Sequence, residues 1–316
     1  MNIMMNSYCN LKCPYCFADN EINMCEEKSM TEENFDKIIE ILKNNNINDI
    51  RLIGGEPTIH PMFGYFLTKL AKDDFFKHIH FFSNMTFGKE LRELIINLND
   101  VKEISILPNF NSEEITGNKF ELIKENIKEL KKYNIVDCVG INIYKPDQDL
   151  SHIYEIVKEL KLKSIRWVIV SPNHRIEKDF DVKKHFNQFY DKLIELFDFA
   201  IEQKCSLRLD CSDIPMCAFT KEQYYELTLR NPNLLKTHSC DIVLDVNTKL
   251  EAFRCFGMSE KYKVQLTSKS KVRTIEELIK SNVDENDKLL FEECKECPRY
   301  KIRGKSCGCM VYREEK

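Results

Sequence analysis

The 316-residue chain carries no excess of charge of either sign: 47 Lys and Arg against 51 Asp and Glu leave a net charge of -4. That balance gives no basic footprint, so no nucleic-acid partner is expected. No stretch approaches the ~18 continuous apolar residues of a membrane helix, and the N-terminus lacks a basic segment followed by an apolar one. Neither membrane insertion nor secretion is expected, and the chain reads as cytoplasmic. There is no long Gly/Ser-rich linker and no low-complexity tract. The one tryptophan, Trp167, falls in an apolar strand and reads as core. With 43% hydrophobic and 31% charged residues the chain has ample material for a core, in one large or two moderate domains.

Cysteine, by contrast, is plentiful, with 14 residues. Disulfide frameworks belong to small secreted domains, so metal binding is the better default for so many thiols here. They are unevenly placed. Cys9, Cys13 and Cys16 form a C-x3-C-x2-C run in "CNLKCPYC", Cys25 and Cys138 stand alone, and nine more lie between Cys205 and Cys309. Two functional regions follow from that asymmetry.

Between them, apolar patterns of period 2 and period 3.6 alternate. "MNIMMNS" opens as a strand; "TEENFDKIIEILKNN" places Phe35, Ile38, Ile39 and Leu42 at helical spacing behind a Thr31 cap. The exchange repeats through "DIRLIGGE", "HIHFFSN", "EISILPN", "CVGINIYK" and "SIRWVIVSP", each followed by a helical pattern, with "SLRLDCS" leading onward. Six strand-then-helix units imply parallel β/α architecture. They are too few for an eight-stranded barrel, so the fold class expected is α/β, a partial (βα)6 TIM-like barrel followed by a small cysteine-rich domain. Chemistry in such folds gathers in the loops after the strands' C-terminal ends, and the first cysteine run lies in the first of those loops.

"CNLKCPYC", with Tyr15 before the last cysteine, resembles the signature loop of the radical S-adenosylmethionine (radical SAM) enzymes. "GGEP", Gly54, Gly55, Glu56 and Pro57 after the second strand, is similar to that family's methionine-binding motif, and "FSN" ends the third strand with Ser83 and Asn84. The resemblance covers roughly residues 1–205, the expected barrel domain. It implies that Cys9, Cys13 and Cys16 hold a [4Fe-4S] cluster whose fourth iron chelates S-adenosylmethionine, which is cleaved to a 5'-deoxyadenosyl radical. Three thiolates do leave one iron of such a cluster open, and cofactors of this kind supply radical chemistry that side chains cannot start. The resemblance further implies that Glu56 accepts from the amino group of S-adenosylmethionine, that Ser83 and Asn84 contact its ribose or methionine end, and that Tyr15 packs near its adenine. Asn142 and Arg166 on later strands are further candidates. The plainer alternatives are a structural zinc site for the three cysteines, a tight turn for GGEP, and strand capping for Ser83 and Asn84. His78 and His80 have no helix-spaced metal partner and read as packing residues.

The second region, 206–316, resembles the SPASM extension of radical SAM maturases, which houses auxiliary [4Fe-4S] clusters. It departs from that pattern: Leu250 replaces the glycine before Cys255, nine residues separate Cys297 from Cys307, only Gly308 separates Cys307 from Cys309, and no cysteine follows. Eight cysteines from Cys211 to Cys309 match the ligand number of two clusters. By analogy Cys217, Cys240, Cys255 and Cys309 hold one, and Cys294, Cys297 and Cys307 most of the other. Cys211 is either a ligand or, with Asp210, a catalytic hydrogen-atom donor or base. A single cluster on Cys240, Cys255, Cys294 and Cys297 fits too, and zinc remains open for the C-x2-C at 294.

The resemblance implies a radical SAM oxidoreductase acting on a ribosomally made peptide or protein, by thioether or carbon crosslinking, epimerisation or oxidation. Its cofactors would be S-adenosylmethionine, the first [4Fe-4S] cluster and one or two auxiliary clusters. Its partners would be the peptide, an external electron donor such as flavodoxin or ferredoxin, and, since the barrel begins at residue 1, a separate leader-binding protein or the barrel mouth itself. The alternatives are a small-molecule dehydrogenase with one auxiliary cluster and a non-enzymatic iron-sulfur or zinc scaffold.

Overall fold

The computed structural model describes residues 1–170, 181–210, 214–235, 243–260, 262–285 and 291–303. Strands alternate with helices from the start: β1 (Asn2–Met4), β2 (Asp49–Ile53), β3 (His78–Ser83), β4 (Glu103–Pro108), β5 (Cys138–Ile143), β6 (Ser164–Ile169) and β7 (Ser206–Leu209). The three short strands β8 (Asp245–Val246), β9 (Glu251–Phe253) and β10 (Val264–Gln265) follow. The fold is α/β with parallel strands. The chain divides into two compact units, Met1–Gly140 with Ile242–Asn282, and Ile141–Asp241 with Val283–Lys316.

The first unit is built on a seven-stranded sheet in the order β10-β9-β8-β1-β2-β3-β4. From β8 to β4 neighbouring strands run parallel; β9 and β10 add an antiparallel extension. Its register explains its two faces. Val246, Ile3, Leu52, Phe81 and Ile106 form one continuous row across five strands, and all are buried. One residue earlier the pleat turns every side chain over, and the row reads Asp245, Asn2, Arg51, His80 and Ser105. His78 and His80 both bond the Ser105 hydroxyl at 2.7 Å, so they stabilise β3 against β4.

The helix Glu32–Asn44 buries Phe35, Ile38, Ile39, Ile41 and Leu42, and Thr31 caps it by accepting from the Asn34 N–H at 3.1 Å. Phe35 meets Phe66 of the helix Phe63–Ala71 with ring centroids 4.3 Å apart. The second unit carries the sheet β5-β6-β7, with β6 and β7 parallel. Trp167 on β6 is fully buried there against Phe197, as its apolar setting suggests.

Candidate active site around the cysteine loop

The hydrogen-bond ladder between β1 and β2 continues beyond the strands themselves. The Met5 N–H donates to Ile53 O, Gly55 N–H to Asn6 O, and Glu56 N–H to Tyr8 O, each at 2.8 to 2.9 Å. The cysteine loop and GGEP are therefore neighbours because their backbones are zipped together. A Cβ on Gly55 would stand 2.1 Å from Tyr8 O, and one on Gly54 2.4 Å from Asn6 Oδ1. Both positions demand glycine because the two chain segments approach so closely. The motif then turns at Pro57, the first residue of the short helix Pro57–Ile59.

Glu56 is buried and its carboxylate is engaged by this chain's own donors. Oε1 accepts from Thr58 N at 3.2 Å, Thr58 Oγ1 at 2.5 Å and Ser83 Oγ at 2.8 Å; Oε2 accepts from Asn84 N at 2.7 Å. By lone-pair count Oε2 retains room for one further donor. Burial pushes the Glu56 pKa up, and the bonds from Asn84, Thr58 and Ser83 oppose the rise. Ser83 also accepts from Met85 N at 2.9 Å; Met85 takes the left-handed conformation (φ 62°), and Asn126 holds its carbonyl at 2.8 Å. Glu56 thus ties the loop after β2 to the loop after β3.

The three thiols lie on the same unit. Burial raises the pKa of Cys9 and Cys16 and lifts Cys13 to about 11, with the neighbouring Cys9 and Cys16 charges adding to the rise at Cys13. Such thiols keep their protons until a cationic group displaces them, which is how iron or zinc loads a thiolate site. Among the described residues no three His, Cys, Asp or Glu side chains converge as ligands of one ion would. Three thiolates that each hold a different iron of a cluster need no such convergence. The donor set fits a [4Fe-4S] cluster on Cys9, Cys13 and Cys16.

Polar side chains close around the loop, several of which the motifs do not reveal. Tyr15 and Asn111 are buried and bonded to one another, and Asn111 Nδ2 lies 3.7 Å from Cys13 Sγ. Asn84 Nδ2 lies 2.9 Å from Asn10 Oδ1 and 3.8 Å from Cys9 Sγ. Lys119 Nζ donates to Asn10 O at 3.0 Å. The signal for Asn111 was its place just past a strand, in "ILPNFN", where β/α folds put function.

After Cys16 the chain enters the helix Asp19–Met24, and the extension β8 to β10 packs on it. Met4, Ala18, Ile53, Phe253 and Phe256 form one apolar cluster, with Cys16 against its edge. Glu21, only 1% exposed, receives Lys263 Nζ at 3.0 Å and Asn247 Nδ2 at 2.7 Å. Cys255 lies between Phe253 and Phe256 on this extension. In the second unit Cys217 is exposed on the turn Met216–Ala218, and Cys294 and Cys297 share a turn closed by Cys297 N to Cys294 O at 3.1 Å. Asp210 follows β7 with its carboxylate paired to the Arg166 guanidinium. Cys211, Cys240, Cys307 and Cys309 lie outside the described residues. The structure therefore gathers Tyr15, Gly54, Gly55, Glu56, Pro57, Ser83 and Asn84 around the first three cysteines, and Asp210 belongs to the other unit.

Parallel β/α strands, a three-cysteine loop after β1 and a buried Glu56 beside it define a radical SAM fold. The sequence profile of the Radical SAM superfamily matches residues 3–160, half of the chain, and the chain belongs to that superfamily. It is 24% identical over 235 residues to a protein of Pyrococcus horikoshii named "Probable GTP 3',8-cyclase", covering 72% of this chain and 61% of that one. A solved structure of hexahistidine-tagged anSMEcpe with bound AdoMet superposes with a TM-score of 0.69 at 18% identity, over 100% of this chain and 90% of the other. Streptococcus suis SuiB bound to precursor peptide SuiA gives a TM-score of 0.62 at 13% identity, over 99% of this chain and 70% of SuiB. The first curated relatives are matched over 48% and 61% of their own length. Among the described residues no helix is long and apolar enough to cross a membrane.

Proposed function

We propose that this radical SAM enzyme modifies a ribosomally made peptide or protein, using S-adenosylmethionine at the site around Glu56 and a [4Fe-4S] cluster on Cys9, Cys13 and Cys16. The observation that carries the first half of this reading is the backbone zipper from Met5 to Glu56, which sets three thiols beside a buried carboxylate with acceptor capacity to spare. When bound, the cluster supplies the electron that cleaves a carbon–sulfur bond of S-adenosylmethionine. The chain's own part is to hold and orient. Glu56 accepts the ligand's amino group on Oε2, the Ser83 hydroxyl and the Asn84 backbone N–H fix that carboxylate, Ser83 faces the ribose or methionine end, Tyr15 packs near the adenine, and the close approach at Gly54 and Gly55 keeps the two loops in register.

The peptide substrate is supported by the likeness to SuiB, solved with a precursor peptide. In the proposed division, 1–205 makes the radical and 206–316 is a SPASM-like region that applies it. Auxiliary ligands would come from Cys217, Cys240, Cys255, Cys294, Cys297, Cys307 and Cys309, with Asp210 and Cys211 as substrate-facing groups. Two described segments bearing such cysteines rest on one helix, Val182–Asn187: Asn187 Nδ2 bonds Ala218 O at 2.9 Å, and Lys183 lies 3.5 Å from Glu293 and 4.6 Å above the Phe291 ring. A flavodoxin or ferredoxin as electron donor and a cytoplasmic location complete the proposal.

A second reading is a small-molecule enzyme, a dehydrogenase with one auxiliary cluster in its first form; the curated relative named "Probable GTP 3',8-cyclase" favours a small-molecule substrate over a peptide. One experiment separates them. The reduced, reconstituted chain is incubated with S-adenosylmethionine alone, with a precursor peptide encoded beside its gene, and with GTP. The peptide reading expects 5'-deoxyadenosine in all three and a mass change only in the peptide. Conversion of GTP would replace it with the second reading, and no 5'-deoxyadenosine anywhere would sink both.

A further inference from the structure

Two asparagine amides point at the cysteine loop in a fixed sense. Asn84 Oδ1 accepts from the Thr86 backbone N–H at 3.1 Å and from the Thr86 hydroxyl at 2.6 Å. A backbone N–H can only donate, so the carbonyl end of this amide must face Thr86. The Nδ2 end then faces Asn10 Oδ1 at 2.9 Å and Cys9 Sγ at 3.8 Å. Asn10 closes the ring by donating its own Nδ2 to Thr86 Oγ1 at 2.8 Å. Asn111 Oδ1 accepts from the Tyr15 hydroxyl and its Nδ2 faces Cys13 Sγ at 3.7 Å; a hydroxyl can also accept, so here it is the thiolate, an acceptor only, that sets the sense of the amide. The opposite orientation would turn a carbonyl oxygen toward a thiolate. Both asparagines are buried, so water competes little for these donors.

Donors aimed at a ligand sulfur stabilise whichever state of a cluster is more negative, which is the reduced one. Buried donors act most strongly, because the surrounding dielectric is low. We propose that Asn84 and Asn111 raise the reduction potential of the cluster on Cys9, Cys13 and Cys16 by donating amide N–H groups to two of its three thiolates. They act through the ligand sulfurs and are positioning residues; Thr86 fixes the sense of the Asn84 amide and the Cys13 thiolate that of Asn111. The inference rests on the reading of the three thiols as [4Fe-4S] ligands.

The test is a redox titration of the reconstituted full chain, followed by electron paramagnetic resonance without S-adenosylmethionine, with iron counted in each sample. Asn111→Leu and Asn84→Leu should each lower the reduced-to-oxidised ratio at a fixed potential about threefold, a shift of about 30 mV to more negative values at 59 mV per tenfold. Asn111→Asp, which sets an anion beside the thiolate, should shift it further in the same direction. Tyr15→Phe keeps the ring and removes a hydroxyl that bonds Asn111 and also serves Cys13 itself, so it should move the midpoint the same way. Asn111→Asp, which keeps the shape of the side chain, decides the outcome should a leucine variant lose its iron. Midpoints equal to wild type in variants with full iron would overturn the proposal while leaving the cluster assignment intact. A wild-type chain that shows no [4Fe-4S] signal after reconstitution would overturn both.

Discussion

Gly55 owes its identity to Tyr8 as much as to any ligand, since a methyl group there would stand 2.1 Å from a backbone oxygen. Gly55→Ala should cost about 3 kcal/mol, the upper end for overpacking against atoms that cannot step aside. It should also lower iron uptake, because the displaced backbone leads directly into Cys9. Urea midpoints and iron content of the same samples check both halves. Asp245 offers a pH test at the same scale. It is buried on β8, and burial lifts its pKa from the ordinary 3.8 to about 7 despite a 2.7 Å bond from Asn2 Nδ2. The folded chain therefore binds this proton more tightly than the unfolded chain. Stability is fullest below about pH 4, falls as pH rises toward 7, and is flat above, with a span of up to about 4 kcal/mol for a shift of this size. Asp245→Asn should make urea midpoints fall less steeply from pH 4 to 8 by that amount, the buried Glu56 keeping its own share. A slope unchanged by the substitution would refute the assignment.

Among the elements, the extension β8 to β10 buttresses the helix that follows Cys16. Lys263 and Asn247 reach a carboxylate, Glu21, that is otherwise sealed from water. Removing one partner of a buried pair leaves the other uncompensated, and Lys263→Met should cost about 3 kcal/mol on that ground. The double variant Glu21→Gln with Lys263→Met should recover part of the loss, and a double-mutant cycle measures how much. This buttress also marks the limit of legibility. The apolar stripe from Phe35 to Leu42 and the strands β2 to β6 were readable because each repeats a period over five or more residues, and Thr31 because it stands just before such a stripe. Strands of two residues such as β8 and β10 show no period, so the segment that carries them read only as spacing between cysteines. The polar row from Asp245 to Ser105 exists only once the register of five strands is set. Asn111 and Thr58 are single residues that no motif announces, and they matter because the fold brings them to Tyr15 and Glu56.

At the scale of the whole molecule, the two compact units each carry thiols that the fold sets in distinct surroundings. Cys9, Cys13 and Cys16 are partly buried beside Glu56 in the first, whereas Cys217 is exposed and Cys294 and Cys297 flank an exposed turn in the second. If the first three hold the cluster that drives cleavage and the last two help hold an auxiliary one, iron and activity should part company. Changing Cys9, Cys13 and Cys16 to alanine should remove about four irons per chain, the content of one [4Fe-4S] cluster, and abolish formation of 5'-deoxyadenosine. Changing Cys294 and Cys297 to alanine should remove a similar amount of iron and spare at least part of that cleavage, while modification of the peptide is lost. Zinc recovered with the wild-type chain in place of the second portion of iron would instead make the 294 turn a structural site. Loss of cleavage in both variants alike would refute that division of labour.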